Sequence, residues 1–143
     1  MSVVYAESSA VLAWLLDEPR HGEVIESLSG AGHVVTSVLT GIECGRSLAR
    51  GRATGRITAA GELAALRLLD DTLASWHVMD VSDDVALRAR AVFPREPVRT
   101  LDALHLATAM AFHEAVGGVQ VLSFDSRVRE NAALLGLEVV PRG

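Results

Sequence analysis

The chain has 143 residues, 50% of them hydrophobic, and a mean hydropathy of +0.30, which supplies the length and apolar content for one domain with a buried core. No stretch approaches the ~18 apolar residues of a membrane span, and the single Cys44 excludes an internal disulfide, so a cytoplasmic protein in a reducing compartment is expected. A net charge of −5 argues against an electrostatic grip on nucleic acid, yet all 13 basic residues are arginine, the side chain best shaped for phosphate, so composition permits such a partner without indicating it.

The opening residues Met1 to Glu7 carry no basic leader, and their short apolar run meets an acid, which is not the layout of a signal peptide. Val3 to Ala6 reads as a buried strand, followed by a helix from Ala10 to Leu16 that Ser8 or Ser9 could cap and that stops near Pro19. A short helix from Gly22 to Ser29, a turn at Gly30 to Gly32 and a strand from His33 to Thr36 follow. Helical spacing returns from Thr40 to Arg50, breaks over Gly51 to Gly55, and resumes from Thr58 to Leu73, which predicts a helical hairpin. Trp76 to Val81 is a third strand, Asp83 opens a helix ending near Phe93-Pro94, and Thr100 caps an apolar helix reaching about Glu114. Val119 to Ser123 is a fourth strand, Asp125 caps a helix through Leu135, Gly136 ends it, and Leu137 to Val140 is a fifth strand. Strands alternating with helices predict a three-layer α/β/α sandwich with a mostly parallel five-stranded sheet, as one domain over residues 1–143.

Four carboxylates stand at or near the starts of these helices: Glu7, Glu43, Asp102 and Asp125. In a parallel sheet such starts converge on one edge, and converged carboxylates call for a divalent cation able to serve phosphate-bond chemistry. Three of the acids have a competing explanation. Asp125 is a good N-cap, Asp102 falls in a first helical turn, and Thr40-x-x-Glu43 matches a capping box. Glu7 resists that reading, because glutamate is a poor N-cap and two serines lie beside it.

The flanking residues narrow the choice. Tyr5-Ala6-Glu7-Ser8-Ser9-Ala10, Thr36 through Glu43, Leu101-Asp102-Ala103-Leu104-His105-Leu106-Ala107-Thr108-Ala109, and Leu122-Ser123-Phe124-Asp125-Ser126-Arg127 occur in the order of the acidic motifs of one family. The chain resembles the PIN-domain ribonucleases, particularly the VapC-type toxins of bacterial toxin–antitoxin pairs. That resemblance implies a PIN-like fold and an endoribonuclease that leaves 5′-phosphate and 3′-hydroxyl ends without a covalent intermediate. It further implies Mg²⁺, or Mn²⁺, held by Glu7, Asp102 and Asp125, with Glu43 completing the pocket, and a homodimer neutralised by a cognate antitoxin. The family's first acid is aspartate. Glu7 extends the carboxylate by one methylene, which leaves open a second reading: a weakly catalytic protein that binds RNA or its antitoxin through a detuned metal site.

Ser9 and Ser123 could orient the acids or simply cap helix and strand ends. Arg46, Arg50 and Arg127 are candidate contacts to RNA phosphates, with a solvated surface as the alternative. His105 is read as packed or hydrogen-bonded, since hard cations do not seek imidazole, and Cys44 as a packing residue. A flavodoxin-like or phosphatase-like domain is disfavoured, because no Asp-x-Asp and no glycine-rich phosphate loop follow the first strand.

Overall fold

Runs such as Val3-Val4-Tyr5-Ala6 are too short and too rich in β-branched residues for helices, and in the computed structural model, which describes residues 2–143, they pair as strands. The elements in chain order are β1 (Val3–Ala6), α1 (Ser8–Leu15), α2 (His21–Ser29), β2 (His33–Ser37), α3 (Val38–Ala53), α4 (Ala59–Ser75), β3 (His77–Met79), α5 (Asp83–Ala89), α6 (Thr100–Val116), β4 (Gln120–Leu122), α7 (Ser126–Leu134) and β5 (Glu138–Val140). The five strands form one sheet in the order β3-β2-β1-β4-β5. All four pairings are parallel, with Tyr5 opposite Val35 on one side and Val121 on the other.

Alternation along β1 separates the layers. Tyr5 joins Val35, Leu106, Phe112, Val121 and Val128 in a core beneath α6 and α7, whereas Val4 and Ala6 face the opposite side with Ala10, Val11, Val24, Cys44 and Leu69 from α1 to α4. The expected α/β/α sandwich is therefore present. Strand order reverses beside β1: the connections to β2 and β3 run outward one way, and the long return through α5 and α6 places β4 on the other side. The carboxyl ends of β1 and β4 thus form the crevice at which ligands of open α/β sheets lodge.

Several helix starts differ from expectation by one turn or less. Glu7 itself occupies the N-cap of α1 and accepts from Ser9 N, so Ser8 and Ser9 lie inside the helix. Ser37, and not Thr40, caps α3. Thr40 sits within the helix, with its hydroxyl 2.7 Å from that of Thr36, and Glu43 is released from any capping box. The bond from Ala103 N to the Arg99 carbonyl, 2.8 Å, starts α6 one residue early, which puts Arg99 at the N-cap position and Thr100 inside. The α3–α4 break falls after Ala53: Gly51 is helical, and only Gly55, at φ +75°, takes the left-handed conformation that a side chain disfavours. Helix α5 also stops earlier than expected, because Phe93 folds back into the core and its N–H bonds the Glu96 carboxylate. No described helix is long and apolar enough to cross a membrane.

The C-terminal strand is tied to the crevice. The Arg129 guanidinium donates to the carbonyls of Ser123, Val140 and Pro141 at 2.8, 3.2 and 2.7 Å. One side chain therefore joins the exits of β4 and β5.

Candidate active site

Each of the four acids reaches the crevice by a different local route. Glu7 follows β1 directly, and the residue is almost fully buried, at 4% exposure. Three donors hold it: Ser9 N at 2.9 Å on Oε2, and the hydroxyls of Ser9 and Ser123 at 2.6 and 2.5 Å on Oε1. The same serines knit β1 to β4, because Phe124 N donates to Ser9 Oγ and Asp125 N to Ser123 Oγ. Asp125 caps α7 with Oδ1 alone, accepting from Arg127 N and Val128 N, and this leaves Oδ2 without a partner among the described hydrogen bonds. Capping and pocket lining are thus compatible in one side chain.

Glu43 lies on the second turn of α3, where Oε1 accepts from Ser8 Oγ at 2.8 Å and lies 2.5 Å from His105 Nε2. Asp102 stands in the first turn of α6, with neither oxygen in a described hydrogen bond. Together Glu7, Glu43, Asp102 and Asp125 line a pocket of about 390 Å³ with Ser8, Ser9, Ser47, Arg99 and Thr100.

Burial, reinforced by the charges of Asp125 and Glu7, pushes the Asp102 carboxyl up to about 6. Burial also works against ionised Glu43, but its bonds to His105 and Ser8 outweigh it and hold that carboxyl below the ordinary range. Asp102 is consequently held short of counter-charge, whereas Glu43 is not. Among the described residues no three acidic, histidine or cysteine side chains form a ready-made metal cage. The donor set nevertheless fits a hard cation. It offers carboxylate oxygens alone, since both His105 nitrogens are engaged and burial pushes the Cys44 thiol up to about 12. Magnesium commonly takes only one or two protein carboxylates and keeps several waters, so an open arrangement suits it.

The arginines fall differently from expectation. Arg127 spends its guanidinium on the Pro97 carbonyl at 2.7 Å. Arg50 pairs with Ser47 and lines a neighbouring groove with Arg56, and Arg46 is exposed outside the pocket lining. Arg99 is the arginine that lines the acidic pocket, and it makes no described ion pair. Its loop is held by fully buried Asn131, which accepts from Arg95 N at 2.9 Å and donates to the Arg95 carbonyl at 3.1 Å. The only hint of Arg99 in the sequence is its place three residues before Asp102.

A pocket of this composition at the carboxyl edge of a parallel sheet can hold a divalent cation against a phosphate. The chain belongs to the PIN domain family, whose model matches residues 4–134. Ribonuclease VapC46 of Mycobacterium tuberculosis is 31% identical over 140 residues, 98% of each chain. Two solved structures share the fold. The M. tuberculosis toxin VapC20, described as cleaving the sarcin-ricin loop, gives a TM-score of 0.64 at 18% identity over 94% of this chain and 95% of that one. A toxin–antitoxin complex from Klebsiella pneumoniae gives 0.63 at 16% identity over 99% and 97%.

Proposed function

We propose that this protein is a Mg²⁺- or Mn²⁺-dependent endoribonuclease acting as the toxin of a toxin–antitoxin pair. The observation that carries the reading is the gathering of four acids, from segments spread along the chain, into one pocket at the β1–β4 crevice. Membership of the PIN family and the resemblance to a named VapC ribonuclease support the same conclusion.

Glu7, Asp102 and Asp125 would hold the cation, which supplies charge neutralisation and Lewis acidity at the scissile phosphate. Glu7 is pre-set for this by Ser9 and Ser123, so its lone pairs point in a fixed direction. Glu43 closes the acidic wall, and its depressed pKa keeps it ionised beside the raised Asp102. Arg99, on the rim, takes a phosphate of the RNA strand and offsets the repulsion that four acids present to a polyanion. Firm hydrogen bonding of Glu7 favours a site built around glutamate over a detuned one. We further assign the chain to the cytoplasm as a single domain, working as a homodimer and neutralised by a small protein antitoxin.

The test is cleavage of a structured RNA by the purified chain. Cleavage with Mg²⁺ or Mn²⁺, its loss in EDTA and its loss in Asp102→Asn are expected, with 5′-phosphate and 3′-hydroxyl product ends. Cleavage that survives both chelation and the substitution refutes the mechanism.

A further inference from the structure

Among the buried polar groups of the motifs is a histidine whose ring lies beside the acidic pocket. His105 is 1% exposed and lies one turn beyond Asp102 on α6. Its ring touches three other elements: Nδ1 is 2.7 Å from the Tyr5 hydroxyl on β1, and Nε2 is 3.1 Å from Ser8 Oγ on α1 and 2.5 Å from Glu43 Oε1 on α3. Tyr5, itself 1% exposed, also packs edge-on against the imidazole with ring centroids 5.9 Å apart. With the Tyr5 hydroxyl donating to Nδ1, the ring proton on Nε2 faces Glu43 and is donated to it.

Two donors, His105 Nε2 and Ser8 Oγ, therefore converge on one oxygen of Glu43, while Oε2 has no described hydrogen bond. A glutamate on a helix face otherwise samples several rotamers, which would spread its charge over the pocket mouth. We propose that His105 is a positioning residue that clamps Glu43 through Oε1 and presents Oε2 to the pocket. Tyr5 backs the ring from the sheet, so the orientation of Glu43 is set by the central strand and not by the helix that carries it. This role rests on the ribonuclease reading, but the clamp itself exists without metal or RNA.

Two amide substitutions separate positioning from packing. The His105→Gln amide extends to the place of Nε2 and can still donate to Glu43, whereas the shorter His105→Asn amide reaches only the place of Nδ1. With both variants folded, as judged by thermal melts, His105→Gln is expected to keep kcat for RNA cleavage within about 3-fold. His105→Asn is expected to lose about 10-fold or more in kcat with KM unchanged. In a Glu43→Gln background the Asn substitution should cost less than 2-fold further, because its effect passes through Glu43. In the metal-free protein, the downfield imidazole N–H proton signal should shift in Glu43→Gln and persist in Asp125→Asn. Equal losses for Asn and Gln, additive losses in the Glu43→Gln background, or an N–H signal indifferent to Glu43→Gln would each overturn the clamp. A wild-type protein that cleaves no RNA with either cation overturns the ribonuclease reading instead, and the proton signal still decides the clamp.

Discussion

Replacing Asp102 with asparagine should make the metal-free protein more stable while removing its activity. The Asp102 carboxyl is pushed up to about 6 from an ordinary 3.8, first by burial and then by the charges of Asp125 and Glu7. At about 1.4 kcal/mol per pH unit, full expression of that difference would be about 3 kcal/mol. Asp102 is only partly buried, so solvent screening reduces the penalty to roughly 1–1.5 kcal/mol. Below about pH 4 the group is protonated whether the chain is folded or not, and no penalty exists. Between about pH 4 and 6 the unfolded chain ionises first, stability falls, and above about 6 the loss is complete. Asp102→Asn should therefore melt about 3–5 °C above wild type at pH 8 in EDTA, and level with it at pH 3.5. Differential scanning calorimetry across this range checks the sign, and added Mg²⁺ should raise the wild-type melting temperature far more than that of the variant. A variant that melts at or below wild type at pH 8 refutes the argument that Asp102 is held short of counter-charge.

Glu7→Asp shortens the side chain by ~1.5 Å and cannot keep its bonds to both Ser9 and Ser123, so cleavage should fall about 10-fold or more and stability by roughly 1–3 kcal/mol. A gain in cleavage would instead mark the glutamate as a detuned ligand. Arg99→Ala should raise KM for RNA about 5-fold with little change in kcat and flatten the salt dependence of binding; an unchanged KM removes Arg99 from the substrate path. Burial pushes the Cys44 thiol up to about 12, so at pH 8 about one molecule in ten thousand carries the thiolate. Iodoacetamide should leave the native protein unmodified and label it only on unfolding; mass spectrometry showing rapid native labelling would contradict that burial.

The order of strands and helices was legible because runs such as Val119 to Leu122 and the leucine spacing of Thr58 to Leu73 have different periods. The convergence of the acids followed from parallel topology, which brings every strand exit to the same edge. Capping was less legible, since Ser37 and Thr40 are both capping residues and the choice depends on where the first turn closes. Arg99 was missed because its loop is placed by Asn131, whose partner Arg95 is 36 residues away in sequence. His105 read correctly as a hydrogen-bonded core residue, but its partner Tyr5 is 100 positions distant, and no local pattern encodes that pairing.

The family match ends at residue 134, yet Arg129 fastens the Ser123 carbonyl to those of Val140 and Pro141. Those last residues act as a latch on the segment that delivers Asp125. A shortened version cut at the family boundary would lose β5 and leave the Arg129 guanidinium with the Ser123 carbonyl alone, and Ser123 N would lose its bond to the Val140 carbonyl. For anyone dividing this chain or fusing another protein to it, a cut before Pro141 removes a carbonyl that Arg129 holds, and a graft at the far end lies closer to Asp125 than its distance along the sequence suggests.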